Sequence, residues 1–209
     1  MHKMGVILQG ILGGFSGKVG PVVGGNWKGI DYMRGYVVPA NPNTPAQQTQ
    51  RTKFGKAVAY ARQILATLLN VYWDPFAVEM SGFNRWIQLN IGELDVSNEI
   101  TVDNIMSTGT LESIRALISA TVNGDDIDIV WDFRHVGNGL DTDSIGVVFY
   151  DVSEDQLQFL SVAEDRSDGA ASVTPDETPV ASDLIFLFLY RGTGSEFIVS
   201  DSKSKAVVI

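Results

Sequence analysis

The sequence predicts an α+β chain, mostly β, in three parts: a glycine-rich, basic N-terminal β ribbon or arm at 1–40, a helical segment at 41–99 with one long amphipathic helix and a shorter companion, and an acidic β-sandwich of immunoglobulin-like or fibronectin-III-like kind at 100–209. Three observations carry this. Glycines interleaved with Val, Trp and Tyr crowd the first forty residues. An apolar stripe of helical period runs from Phe54 to Tyr72. From Thr101 onward, short apolar alternations bounded by Gly, Pro, Asn and Asp take over.

In the ribbon, interior glycines at 10, 13, 14, 17, 20, 24, 25 and 29 leave no room for a stable helix, since each costs about 1 kcal/mol relative to alanine there. Interleaved apolar residues argue against a flexible linker. Two β runs are expected, Val19–Gly24 and Gly29–Val38, joined around Gly25-Asn26-Trp27-Lys28. Strand alternation then puts Ile30, Tyr32 and Arg34 on one face and Asp31 and Met33 on the other. Such a ribbon has too little core of its own and must lie on another surface, in its own chain or a neighbour.

The helical segment opens on turn chemistry, Asn41-Pro42-Asn43. Thr44 follows as N-cap, Pro45 occupies the first helical position, and Gln47 stands where a capping box places it. The helix is expected to run from Pro45 to about Tyr72, with Phe54, Val58, Ala61, Leu65, Leu68 and Tyr72 on one stripe, until Asp74-Pro75 ends it. A shorter helix is expected near Gly82–Leu89. Beyond Thr101, Leu117–Val122 and Ile127–Phe133 flank Asn123-Gly124 as a hairpin. Ile127, Ile129 and Trp131 point inward there, and Asp126, Asp128 and Asp132 outward. Further strands are expected at Ser144–Asp151, Leu157–Ala163, Asp183–Arg191, Glu196–Ser200 and Ala206–Ile209.

Charge divides the chain sharply. Residues 1–62 hold 8 Lys/Arg against the single acid Asp31, a net of +7; the remainder holds 7 Lys/Arg and 24 Asp/Glu, a net of −17, and the two sum to −10. The mean field repels phosphate, so the whole chain is a poor nucleic-acid binder. The basic segment, which mixes cations with aromatics, keeps nucleic acid only as a weaker alternative partner. A cationic front and an anionic rear suit contact between copies, because complementary charge sets register and orientation.

Chemistry is sparse. The absence of cysteine excludes disulfides, thiolate metal sites and cysteine nucleophiles. His2 and His135 are the sole histidines, and no Gly-x-Ser-x-Gly elbow accompanies them. Gly13-Gly14-Phe15-Ser16-Gly17-Lys18 fails as a phosphate loop because Val19 replaces the required Ser or Thr. Asp141-Thr142-Asp143 offers alternate oxygens but lacks the remaining ligands of a calcium loop. No catalytic residue, metal ligand or cofactor is therefore assigned. The apolar stretch Met4–Phe15 is too interrupted for a secretory signal, and no run reaches the ~20 residues of a membrane span. Outside an assembled particle, the expected location is therefore cytoplasmic.

The stretch Gly10–Phe54, with Gly-Phe-Ser-Gly-Lys-Val-Gly at 14–20, Trp27-Lys28-Gly29, Tyr32-Met33-Arg34, and Asn41-Pro42-Asn43-Thr44 followed by Gln47, Gln50, Arg51 and Phe54, resembles a family from Bacteroidota and their phages catalogued as a domain of unknown function. The resemblance covers the first quarter to third of the chain. Its Asn-Pro-x-Thr…Gln…Arg…Phe part is similar to a segment of phage virion proteins. The resemblance implies no catalytic residues and points to a structural subunit of a virus particle or similar assembly. Together with the charge division, the expectation is a non-enzymatic, self-assembling protein whose basic arm docks on the acidic face of a neighbour. Lys18, Lys28, Arg34 and Arg51 are the contact cations, with Trp27 and Tyr32 as anchors. The alternative is a cell-surface or secreted binding module whose sandwich loops grip a glycan or a protein.

Overall fold

The computed structural model describes residues 6–7, 14–192 and 196–208. His2, the glycines at 10 and 13 and most of the Met4–Phe15 stretch lie outside them. The chain divides into two units, Met1–Thr44 and Pro45–Ile209. It is mixed α/β with strands predominating.

The first unit is an antiparallel four-stranded meander of β1 (Val6–Ile7), β2 (Phe15–Val19), β3 (Val22–Trp27) and β4 (Ile30–Gly35). The turns are not where the glycines suggest. Gly20 and Pro21 join β2 to β3, and Lys28 and Gly29 join β3 to β4. Lys28 and Gly29 both have positive φ, 49° and 84°, the signature of a two-residue type I′ hairpin turn. Asn26 fastens it: its Oδ1 accepts the Gly29 N–H at 3.0 Å and its Nδ2 donates to Asp31 at 2.7 Å. The expected strand Val19–Gly24 therefore shifts to 22–27. Gly24 and Gly25 lie in mid-strand because a Cβ at either would collide, with Phe15 on one face and the Tyr32 ring on the other. Of the described residues in this unit only Gly24 is buried.

In the second unit, α1 (Pro45–Gln63) starts at the expected proline, but the helix does not continue to Tyr72 as α-helix. At Ile64 the carbonyl accepts both the Leu68 and Leu69 amides, at 2.9 and 3.0 Å, and a π-helix follows over Leu65–Trp73. The wider turn carries two adjacent residues inward at once, and Leu68, Leu69, Tyr72 and Trp73 are all buried. The stripe is correspondingly offset. Ala57, Tyr60, Ala61 and Ile64 face the core, while Phe54, Leu65 and Val71 are exposed. Asp74-Pro75 stops the helix as expected, and α2 (Gly82–Asn90) follows with Ser81 as N-cap, its Oγ accepting the Asn84 N–H at 3.3 Å.

The remaining strands are β5 (Leu117–Asn123), β6 (Asp126–Trp131), β7 (Ser144–Asp151), β8 (Gln156–Asp165), β9 (Ala170–Val173), β10 (Leu184–Arg191), β11 (Ile198–Val199) and β12 (Lys203–Ala206). They form a five-stranded sheet, β11-β10-β7-β8 with β12 also on β10, and a three-stranded sheet, β5-β6-β9. Strand β9 has no counterpart among the sequence expectations, and the last strand falls at 203–206 rather than 206–209.

β7 and β10 are buried on both faces, which explains their unbroken apolar runs. Val148, Tyr150, Phe186 and Phe188 pack in one cluster with Ala57, Tyr60, Ile64, Leu68, Trp73 and Trp86 of the helices. On the opposite face Val147, Phe149, Ile185 and Leu187 pack in a second cluster with Ile127, Ile129 and Trp131 of the small sheet. Segments 41–99 and 100–209, read separately in the sequence, thus share a core.

Candidate functional site

Strand register assembles a surface on the first unit. Lys18 pairs with Val23, Val23 with Arg34, Gly25 with Tyr32, and Trp27 with Ile30. Since alternate residues share a face, Lys18, Val23, Gly25, Trp27, Ile30, Tyr32 and Arg34 stand on one side of the sheet, and Lys28 caps its end in the turn. The Lys18 ammonium sits 3.6 Å from the centroid of the Tyr36 ring and that of Lys28 5.6 Å from Trp27, within cation–π range. Lys18, Arg34 and Tyr36 border an open groove of about 580 Å³ with Val23, Val37 and Pro39. Among the described residues, Lys18, Lys28 and Arg34 make no ion pair. Trp27 is 66% exposed and Ile30 68%. Every residue from 26 to 52 is exposed.

Four of the six residues singled out in the sequence, Lys18, Trp27, Tyr32 and Arg34, therefore share one face, and Lys28 adjoins it. Arg51 lies on α1 in the second unit. Tyr36 and Ile30 complete the surface. Ile30 was legible from strand alternation, whereas the place of Tyr36 beneath Lys18 depends on the register that the Gly20-Pro21 turn sets.

The acids of the second unit fall into two settings. Some are structural and internally neutralised. Asp143 is fully buried between two guanidinium groups, its Oδ2 3.2 Å from Arg166 Nε and its Oδ1 3.0 Å from Arg191 Nη1. Glu112 accepts the backbone N–H groups of Val136 and Gly137, and those bonds hold its carboxyl below the usual range. Lys56, Tyr60 and Tyr150 all donate to Asp155, tying α1 to the β7–β8 turn. Burial pushes the Asp155 carboxyl up, but these three donors outweigh it and hold it low.

Others face outward. Asp126 and Asp128 alternate with the buried Ile127 and Ile129 on β6, as the sequence pattern indicates. They are aimed by Thr174 Oγ1 at 2.5 Å, Ser172 Oγ at 2.8 Å and Asn123 Nδ2 at 2.9 Å. Glu154, Asp176 and Glu177 rim a cleft of about 250 Å³ that Phe149 and Leu157 also line; Asp151 beside them is buried, its Oδ1 accepting the Ser153 and Glu154 amides.

His135 Nε2 lies 3.2 Å from Asp141 Oδ1, in an exposed loop. Asp143 of the sequence's Asp-Thr-Asp triplet is taken up by the two arginines. Among the described residues no group of three His, Asp or Glu has a geometry that could hold a metal ion. No helix among them is long and apolar enough to cross a membrane.

Fold and surface together define a mixed α/β chain, rich in strands, that carries an exposed cation–aromatic sheet face and an acid-faced body. The chain belongs to DUF6266, a family of unknown function, whose model matches residues 14–197. The match takes in strands β2 to β4 of the ribbon, the helices and strands β5 to β10 of the body, well beyond the first third to which the local resemblance extends. No curated protein and no solved structure matches the chain.

Proposed function

We propose that this protein is a non-enzymatic, self-associating structural subunit of a virion or comparable particle, in which the cation–aromatic face of the ribbon docks on the acidic body of a neighbouring copy. One observation carries the reading. A sheet whose described residues bury a single glycine presents cations without ion-pair partners beside exposed Trp27 and Tyr32. A small sheet gains independent stability by burying a hydrophobic face, and aromatic and arginine side chains are the usual anchors of protein contacts. The acids of β6 and Glu154, Asp176 and Glu177 of the cleft supply the opposite sign. In the same reading the two sheets of the body are a sandwich of immunoglobulin or fibronectin-III-like kind, to which the helices add a layer. A contact of this sort runs from the front of one copy to the rear of the next, so it closes into rings or extends into shells and filaments.

The test is sedimentation velocity of the full chain across a salt series, beside the double variant Lys18→Glu/Arg34→Glu. Association that is strong at low ionic strength, fades above about 0.5 M salt as charges are screened, and weakens at least tenfold in the double variant supports the reading. A monomer at low salt and high concentration sinks it and moves the protein toward the binding-module alternative, in which removal of 1–40 leaves ligand binding intact.

A further inference from the structure

The free edge of the ribbon is a second contact, distinct from its face. The Tyr36 N–H donates to the Pro21 carbonyl at 2.6 Å. By the alternation of antiparallel ladders, Arg34, Tyr32 and Ile30 then direct their backbone groups to β3, and Asp31, Met33 and Gly35 direct theirs outward. Among the described residues no strand pairs with that outer edge.

The other edges are guarded in the ways proteins use to prevent strand addition. β1 and β11 span two residues each, and β9 and β12 four. The two long edges, β5 and β8, each carry a register shift, at Leu117/Ser119 and opposite Ser144/Gly146. β4 has neither protection. Its pairing with β3 is continuous over six residues, no proline falls between Ile30 and Tyr36, and Ile30, Tyr32, Met33 and Tyr36 are all exposed.

We propose that β4 pairs antiparallel with β4 of a second copy about a two-fold axis at Met33, doubling the four-stranded sheet. This register uses every outward backbone group: Asp31 meets Gly35 of the other copy, Met33 meets Met33, and about six ladder hydrogen bonds form. On the cation–aromatic face Tyr32 lies opposite Arg34 of the second copy and Ile30 opposite Tyr36. These are pairs of the cation–π and apolar–aromatic kinds that stabilise sheets. No like charges stand directly opposed. The alternative centre at Tyr32 sets Asp31 against Met33 and Ile30 against Arg34, and matches the side chains less well.

The seam goes beyond the charge-driven contact proposed above. It is isologous, so together with a front-to-rear contact it gives each subunit two different joints, enough to build a closed shell or a lattice rather than a single ring.

Because the chain has no cysteine, a single engineered thiol reports the seam. In the full chain Met33→Cys is expected to form a covalent dimer under mild oxidation or with a short bis-maleimide. Directly paired residues are about 5.5 Å apart between Cα atoms, inside disulfide range. Ile30→Cys, almost equally exposed, serves as the control and is expected to remain largely monomeric, because its counterpart lies well along the strand. Both are run in 0.5 M salt, where the charge-driven contact is screened, so loss of the salt-sensitive association alone bears on the earlier reading and not on the seam. Met33→Pro, which deletes the central outward N–H at a position where an edge strand tolerates proline, is expected to weaken the salt-resistant dimer at least tenfold in sedimentation equilibrium. Equal cross-linking at 30 and 33, no cross-linking at 33, or an unweakened Met33→Pro dimer each overturns the proposal.

Discussion

The ribbon and the body are both built from antiparallel sheet, yet they solve the problem of burial in opposite ways. In the body, β7 and β10 are covered on both faces, by helices on one side and by the small sheet on the other. In the ribbon, Trp27, Ile30, Tyr32 and Met33 stand in water around a backbone tightened by glycine. The body buries its strands within its own unit, whereas the described residues of the ribbon bury a single glycine and, in the proposed reading, are covered by a second copy. Stability and association should therefore be separable, each tied to one unit.

The sharpest way to break this comparison is to remove the same side chain from each region. Trp131 is 2% exposed and donates its Nε1–H to the Arg166 carbonyl at 2.9 Å. Trp131→Ala should cost about 3–5 kcal/mol of unfolding free energy, the range for a large buried aromatic, and leave the Arg166 carbonyl short of a partner. Trp27→Ala removes the same atoms from an exposed site and should shift body unfolding by less than about 0.5 kcal/mol while reducing association. Urea unfolding followed by far-ultraviolet circular dichroism, paired with sedimentation, reads both effects. Similar losses of stability at the two positions would end the division into a self-sufficient body and a dependent ribbon.

Much of the body was legible because its signals are local or periodic. The runs at 145–150 and 184–190 are apolar at every position, and strands covered on both faces are the physical reason. Asn123-Gly124 marks its hairpin, and Gly124 takes positive φ at the turn. Thr44-Pro45 marks the start of α1. What failed depended on long-range packing. The π-helix arises because the core on β7, β8 and β10 takes Leu68 with Leu69 and Tyr72 with Trp73, a demand that a period of 3.6 cannot express. β9 reads Ala-Ala-Ser-Val and exists because β6 offers it a ladder. In the ribbon, Gly24-Gly25-Asn26 has turn composition, but the glycines serve the close approach of Phe15 and Tyr32 and leave the turn to Lys28-Gly29. The candidate face was half legible. Alternation gave Tyr32 with Arg34, whereas Lys18 joined them only through a register fixed by the Gly20-Pro21 turn, and Arg51 belonged to a different unit.

The link between α1 and the β7–β8 turn offers a smaller, pH-resolved test within the body. Asp155 has positive φ, 57°, which Asn also tolerates, so Asp155→Asn removes charge without adding backbone strain. The carboxyl of Asp155 is held below its ordinary value in the folded state. Its contribution is therefore fully present above the unfolded pKa, near 4, and is lost as pH falls through the lower folded value. With the side chains of Lys56 and Asp155 39% and 34% exposed, solvent screening holds the effect to about 1 kcal/mol. Wild type should exceed Asp155→Asn by that amount at pH 7, and the two should converge as pH falls below the depressed folded value. A constant difference across that range would assign the contribution to shape rather than charge.

The smallest expected effect sharpens the comparison from the ribbon side. Lys28 occupies the first central position of a type I′ turn at φ 49°, where Asn is the better residue because its short polar side chain tolerates the left-handed region. Lys28→Asn should stabilise the β3–β4 hairpin by about 0.5 kcal/mol, seen as roughly twofold slower amide exchange at residues 22–35 and no change in the body. The same substitution removes one of the cations beside Trp27, so salt-sensitive association should fall slightly even as the hairpin stiffens. Those opposite movements separate the two roles of one residue. If association instead rose with hairpin order, the ribbon would be limited by its own folding rather than by the charge it carries, and the acidic body of the neighbour would no longer be needed to explain what covers it.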